Sequence, residues 1–349
     1  MTEKTNDFWD NVVCNVTNAD GSKRPFLSLA PMEAVTDTVF RQVVAKAAAP
    51  DVFYTEFTHA KSVTHPKGKF SVQGRLYVDP AEASPVAQLW GDNPVDFEAT
   101  VQEVKRMGYQ AIDLNMGCPD ATVIKNGGGS DLIRHFDRAA GIIAAAKESG
   151  LPVSVKTRIG FDKKDEMYDW LPFILQQNVR VLTVHLRTRN EMSKVPAHYD
   201  LIDEILKMRD EIAPDTLIQF NGDINSAVDA MALAEAHPGI DGLMIGRGVF
   251  ANPFAFEMDP QEHTLSETFD LLRYQLDLFD DFVARFGSRR FVALKRFFKI
   301  YVRGLRGASE VRQRLMDAKT TDEVRAIIDE VEAVQGNAVL DPELQTLAN

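Results

Sequence analysis

The sequence predicts an α/β protein, a (β/α)8 TIM barrel followed by a C-terminal helical domain. Over roughly the first 250 residues, eight short β-rich runs alternate with helical stretches. Most of these runs are almost continuously apolar, as strands of a parallel sheet covered on both faces are. After Pro260 the strand rhythm stops and helical spacing replaces it. The alternation alone also admits a doubly wound open sheet. A chain of 349 residues is long enough for a barrel of roughly 250 residues and a smaller domain of about 100. We divide it into an extension at 1–24, the barrel at 25–258 and the helical domain at 259–349.

The strands fall at 25–30, 52–57, 85–90, 111–115, 152–156, 181–185, 217–221 and 242–246. Helical patterns lie between them, at 94–107, 137–149, 166–177, 199–209 and 226–236. Asn93-Pro94 suits a helix start, and Ser226 is placed to cap its helix. From Leu265 the chain reads as amphipathic helices. Phe291, Leu294, Phe298, Tyr301, Val302 and Leu305 follow helical spacing. Lys295, Lys299, Arg303 and Arg306 then share another face of the same helix. A last helix is expected at 321–334. There is no internal repeat or low-complexity tract.

Apolar residues make up 45% and charged residues 26%, which excludes disordered and fibrous classes. No run approaches the length of a membrane span. Residues 1–10 carry Glu3, Lys4 and Asp7 with no apolar run behind them, so a secretory signal is not expected. Cys14 and Cys118 are the only cysteines, too few for a disulfide framework or a four-thiolate metal site. These features point to the cytoplasm, with no metal, and with a monomer as the default state. The net charge of −12 argues against a general nucleic-acid binder. The charge is uneven, however: residues 285–314 hold ten Lys or Arg and one acid, a local +9 that leaves −21 on the remainder.

In such a barrel the chemistry gathers at the C-terminal strand ends. The first strand ends in Ala30-Pro31-Met32-Glu33, the third carries Gln88, and the fourth ends in Asn115-Met116-Gly117-Cys118-Pro119. The fifth carries Lys156 and Arg158, and the sixth His185 and Arg187. Asn221-Gly222-Asp223 and Gly246-Arg247-Gly248 end the last two, where barrels commonly bind phosphate through backbone N–H groups and a guanidinium. Lys156 needs an anionic partner, either an acid such as Asp113 or Glu56 or a reduced flavin ring. His185 reads either as a ligand contact or as a core histidine bonded to a carbonyl. Cys118 reads as a general acid or as a structural thiol, and Cys14 as inert. Gly127-Gly128-Gly129 lacks a nucleotide-loop ending and reads as a flexible loop over the site.

These segments resemble the tRNA-dihydrouridine synthase family. The matching stretches are Leu29-Ala30-Pro31-Met32-Glu33, Gln88-Leu89, Ile112-Asp113-Leu114-Asn115-Met116-Gly117-Cys118-Pro119 and Val155-Lys156-Thr157-Arg158-Ile159-Gly160. Thr183-Val184-His185, Asn221-Gly222-Asp223-Ile224 and Met244-Ile245-Gly246-Arg247-Gly248 follow in family order. The resemblance implies FMN-dependent reduction of tRNA uridines to 5,6-dihydrouridine with NADPH (or NADH). Hydride would pass from flavin N5 to uracil C6, and Cys118 would give the proton to C5. Pro31, Met32, Gln88, Asn115, Lys156 and His185 would face the flavin or the target base. Asn221, Gly222, Asp223, Gly246 and Arg247 would hold the ribityl-phosphate end. Arg158, Arg187, Lys295, Lys299, Arg303 and Arg306 would contact RNA, whose target base must leave its stack to react. Ala34, Leu186 and Ser130-Asp131 depart from the family pattern. The rival expectations are a flavin barrel oxidoreductase acting on a small molecule and a non-catalytic RNA-binding protein. No obligate protein partner is expected.

Overall fold

A computed structural model describes residues 6–18, 20–72, 74–287, 289–336 and 338–339. The start of the 1–24 extension and the end of the 259–349 segment therefore lie outside the described residues. Eight strands, β1 (Phe26–Leu29), β2 (Thr58–His59), β3 (Ala87–Trp90), β4 (Ile112–Met116), β5 (Val153–Gly160), β6 (Val181–Thr188), β7 (Leu217–Asn221) and β8 (Gly242–Ile245), form one sheet. The order is β1-β8-β7-β6-β5-β4-β3-β2 with every pair parallel. The sheet curls into a (β/α)8 barrel with helices outside it.

Strand two differs from the expectation at 52–57. The segment occupies the closing position, but only as single bridges, Ser28 to Val52 and Tyr54 to Val86. Leu29 N–H donates to the Val52 carbonyl (3.1 Å), and Thr55 N–H to that of Val86 (3.0 Å). The next rung is taken by a side chain: the Gln88 N–H donates to Thr55 Oγ1 (3.0 Å). The hydroxyl replaces a backbone acceptor, so the regular ladder resumes only at Thr58–His59.

The N-terminal helix Phe8–Asn15 closes the barrel floor. A capping box joins Asp7 and Asp10. Trp9, fully buried, packs on Phe26 at 5.5 Å between ring centres, among Val16, Val86, Ala111 and Val181. The expected starts at Asn93 and Ser226 hold: each side chain caps its helix, Pro94–Arg106 and Ala227–Ala236.

The C-terminal helix Leu265–Phe286 begins with a Thr264/Glu267 capping box and ends at the left-handed Gly287 (φ 62°). It packs against Thr38–Ala48 and Thr321–Gln335. The single helix expected to carry the basic row is absent. A 3-10 turn, Phe291–Arg296, gives way to one helical turn, Phe298–Tyr301, and then to turns. Gly304 (φ 75°) and Gly307 (φ 77°) take left-handed conformations that no continuing helix allows. The apolar spacing correctly marks what is buried, since Leu294, Phe298, Tyr301, Val302 and Leu305 all enter the core. The cations do not share one helix face. Lys295 Nζ donates to the Met316 carbonyl. Lys299 lies over the Phe250 ring at 5.3 Å, Arg303 is half-buried, and Arg306 is exposed.

Candidate functional site

The barrel places the strand-end residues at one mouth, and strand alternation sorts them. Lys156 and Arg158 point to the same face of β5, and His185 and Arg187 to the same face of β6. The Lys156 Nζ donates to Asn221 Oδ1 (3.3 Å), and Asn221 Nδ2 donates to the Met244 carbonyl (2.8 Å). Lys156 therefore meets an amide, where Asp113 or Glu56 had been alternatives. Burial first, and then the Arg158 charge, push its pKa down to about 8. An ammonium held this way gains most from an added anion.

His185 Nδ1 lies 3.5 Å from Arg158 Nη1. Burial and the Arg158, Lys156, Arg187 and Arg247 charges hold its pKa well below the usual imidazole range, so it is neutral at pH 7. Arg158 is a structural strut. Its Nε donates to the Gly117 carbonyl (2.8 Å) and its Nη1 to those of Thr188 (3.1 Å) and Met192 (3.2 Å). It thus ties the Cys118 loop to the end of β6.

A relay of side chains fixes the floor of the site. Ser154 Oγ and Gln88 Nε2 both donate to the buried Asp113 carboxylate (each 2.6 Å). Gln88 Oε1 in turn accepts from Asn115 Nδ2 (3.0 Å). Asn115 Oδ1 accepts the N–H groups of Gly117 (3.2 Å) and Cys118 (2.9 Å). An ionised carboxylate only accepts, so it sets the orientation of both amides in series. Burial pushes the Asp113 pKa up to about 6, so the group is ionised at pH 7. Asp113→Leu should leave the Gln88 Nε2 donor buried without its acceptor and remove what orients both amides. We expect a tenfold or greater loss of activity, roughly the cost of one disrupted buried hydrogen bond. Turnover of Asp113→Leu against wild type, with flavin content as the folding control, checks this. Asp113 was singled out in the sequence only as a partner for Lys156; a lone charge inside an apolar strand was the available signal.

Cys118 ends this relay, half-buried, and burial raises its thiol pKa. The glycine run behind it is packed, not a flexible cover. Ser130 N–H (3.0 Å) and Oγ (2.9 Å) donate to the Cys118 carbonyl. A Cβ on Gly129 (φ 57°) would stand 2.8 Å from that oxygen. A cleft of about 1350 Å3 opens beside Cys118 between the loops after β2, β3 and β4, with Trp90, Asp92, Asn126 and Arg138 among its walls.

On the other side of the mouth lies a cradle. Gly222 has φ 128°, and a Cβ there would come 3.1 Å from that of Ala197. A Cβ on Gly248 would stand 2.2 Å from the Asn225 carbonyl. Arg187, almost fully buried, is placed here and not at the cleft. It donates to Asp223 and to the Val195 carbonyl (2.6 Å), and its Nη1 is buried with no partner among the described residues. Arg247 lies 3.5 Å from the other Asp223 oxygen and is largely exposed. Two guanidiniums, one with an orphaned donor, above glycines that admit nothing larger, suit a phosphate. Pro31 and Met32 follow β1, where the Met32 N–H donates to Thr36 Oγ1 (2.9 Å). Ala34, the departure from glycine, adopts the left-handed φ of 56° with its N–H donating to Glu56 Oε1 (2.6 Å). Lys295, Lys299, Arg303 and Arg306 belong to the C-terminal segment and take no part in these contacts.

The dihydrouridine synthase (Dus) family matches residues 28–338. A probable tRNA-dihydrouridine synthase of Staphylococcus aureus (strain MRSA252) is 55% identical over 310 residues, 89% of this chain and 94% of that protein. Probable tRNA-dihydrouridine synthase 2 of Bacillus subtilis (strain 168) is 54% identical over 309 residues, 88% and 94% of the two chains. Among solved structures, a 2-naphthoyl-CoA reductase shares the fold at a TM-score of 0.50 and 9% identity, over 70% of this chain and 51% of that one.

Proposed function

The chain belongs to the dihydrouridine synthase family, and from that premise we propose that it reduces uridines of tRNA to 5,6-dihydrouridine, with FMN as cofactor and NADPH (or NADH) as electron source. The observation that carries the reading is Cys118, a thiol whose raised pKa keeps it protonated, held at the end of the Asp113–Gln88–Asn115 relay in the wall of the wide cleft. Asn221, Gly222, Asp223, Gly246, Arg247 and Arg187 would hold the ribityl-phosphate end of FMN. Pro31, Met32, Gln88, Lys156 and His185 would face its ring. FMN, when bound and reduced, supplies the hydride that uracil C6 takes up.

The chain's own residues do the rest. Lys156 Nζ would stabilise negative charge on a bound reduced ring, in a site where burial strengthens that attraction. Cys118 Sγ holds the proton that uracil C5 requires. Its raised pKa keeps it protonated at pH 7, as a general acid must be. The neutral His185 donates or accepts a hydrogen bond without adding charge. The segment 259–349 would serve as the tRNA-binding domain, with Arg303 and Arg306 among its RNA contacts. The cell compartment would be the cytoplasm, where such RNA is processed; no helix among the described residues is long and apolar enough to cross a membrane.

The pKa values give a pH profile. Asp113 loses its acceptor-only state as pH falls through about 6, so turnover should rise with pH there. Lys156 loses its charge as pH rises past about 8. A bound anionic ring would favour the charged form, so the alkaline limb should lie at or above that value. Turnover measured from pH 5 to 10 checks both limbs; a flat profile across pH 6 would remove Asp113 from the relay.

The functional test is a visible spectrum of the purified protein, followed by NADPH and then unmodified tRNA without oxygen. Flavin bands near about 450 nm that bleach with NADPH and return with tRNA support the reading. Bleaching without an RNA-driven return assigns the flavin a different substrate. A colourless protein that FMN does not reconstitute overturns the reading.

A further inference from the structure

The acidic barrel carries one basic excursion, residues 60–75, directly after β2. It contains Lys61, His65, Lys67, Lys69 and Arg75 and no acid. It folds as two short helices, Ala60–Thr64 and Lys69–Val72, pinned by buried Val63 and Val72. The turn between them is fixed. The N–H groups of Lys67 (3.2 Å) and Gly68 (3.3 Å) both donate to His65 Nδ1. A Cβ on Gly68 would stand 2.7 Å from the Ser62 carbonyl. This anchored turn turns Phe70 outward, where it is 70% exposed. Lys69 Nζ lies 5.3 Å from the centre of that ring. Among the described residues Lys61, Lys67 and Lys69 meet no carboxylate at ion-pair distance.

The position of the excursion gives it meaning. Lys61 and Arg75 line the cleft that reaches Cys118. Phe70 and Arg75 also line a smaller hollow, about 300 Å3, together with Arg289 of the C-terminal segment; Arg75 is paired with Glu33 and Arg289 with Asp37, so the uncompensated charge of the excursion is that of its lysines. The excursion thus bridges the reactive thiol and the basic tail. A mostly exposed ring beside unpaired ammonium groups matches the two faces of a nucleotide, a flat base and a phosphate.

We infer that residues 60–75 form a second RNA-gripping arm on the barrel itself, in which Phe70 stacks on an unpaired base next to the reacting uridine and Lys67 and Lys69 hold the adjoining phosphates. The inference rests on the proposed tRNA substrate and adds to it an element outside the basic tail. Single-stranded RNA is the occupant because a uridine that leaves its stack uncovers the faces of the bases that flanked it, and an exposed ring can stack on such a face.

The two parts of the arm have separable signatures in steady-state and salt-titration measurements on the full-length flavoprotein with unmodified tRNA. Phe70→Ala should raise KM for tRNA about tenfold, while the slope of log affinity against log salt stays unchanged, because a ring carries no charge. Phe70→Trp should restore KM, and Phe70→Leu should not, since leucine keeps apolar bulk without a stacking face. Lys67→Ala with Lys69→Ala should flatten the salt slope by about 0.7 for each lysine. Flavin content of each variant reports that the barrel is intact. If wild type forms dihydrouridine while these variants match it in KM and salt slope, the arm does not touch RNA and the inference falls alone. If wild type neither binds tRNA nor forms dihydrouridine, the functional reading falls and takes the inference with it.

Discussion

Cys118→Ala should retain its flavin and lose dihydrouridine formation by about 10²- to 10⁴-fold, the usual contribution of a positioned general acid. The geometry separates the two outcomes. The thiol is held by its own backbone: its N–H donates to Asn115 Oδ1 and its carbonyl accepts from Ser130 N–H and Oγ. None of these bonds uses the sulfur, whose own backbone contact is with Asp120, so the main pins of the loop survive in alanine. The cradle formed by Gly222, Asp223 and Arg187 lies on other strands, and the sulfur makes no bond to it. The substitution therefore removes the proton donor and one backbone contact to the sulfur, and leaves the cradle intact. Single-turnover formation of dihydrouridine, read beside flavin absorbance, is the measurement. Full activity in Cys118→Ala would sink the general-acid role. Cys118→Ser should fall between the two, because a hydroxyl holds its proton more tightly than a thiol does.

The barrel was legible because parallel strands covered on both faces must be apolar throughout, and such runs stand out between helical patterns. Where a side chain replaced a rung, the pattern failed. Residues 52–57 look like a strand, and they sit where a strand belongs, but Thr55 Oγ1 takes the hydrogen bond that a backbone carbonyl would have taken. The N-terminal helix escaped notice for another reason. Eight residues are too few to establish a period, and only the Asp7/Asp10 capping box marked it. In the tail, apolar spacing correctly identified the buried residues. It could not reveal that the segment breaks into a 3-10 turn, one helical turn and the left-handed Gly304 and Gly307, which scatters the cations expected on one face.

The site was legible to the extent that the barrel brings strand ends together, a property of the fold and not of any one residue. Contacts among those ends were not legible. The hydrogen bond from Gln88 to Asp113 joins residues 25 apart in sequence, and nothing local to either announces it. Arg187 was placed with the RNA contacts that the resemblance implies, just past a strand expected to end at residue 185. In the structure β6 runs on to Thr188. Arg187 is therefore still on the strand, two residues beyond His185 and on its face, directed to the phosphate-suited cradle.

That displacement produces the second large effect. Arg187→Met should lower flavin affinity by about 100-fold or more, roughly the loss of one charge-assisted hydrogen bond together with the loss of a neutralising charge. The bond would come from Nη1, which is buried and has no partner of its own among the described residues. The second contribution is indirect. Burial pushes the Asp223 pKa up, yet the Arg187 hydrogen bond and the Ala197 N–H hold its carboxyl below the usual range. Without Arg187 this carboxylate faces the bound phosphate unneutralised, and repels it. Methionine fills much of the space, so stability should fall by only about 2 kcal/mol, less than for a fully buried pair because Asp223 is 34% exposed. Arg187→Lys keeps the charge and loses the fork, and should recover part of the affinity. The exposed Arg247, 67% accessible and 3.5 Å from Asp223, should matter less: Arg247→Ala should weaken flavin binding by no more than about tenfold, the value of one solvent-screened contact. Flavin titration of the three apoproteins ranks them. An Arg187→Met protein that folds and binds flavin like wild type would return Arg187 to the RNA side of the mouth.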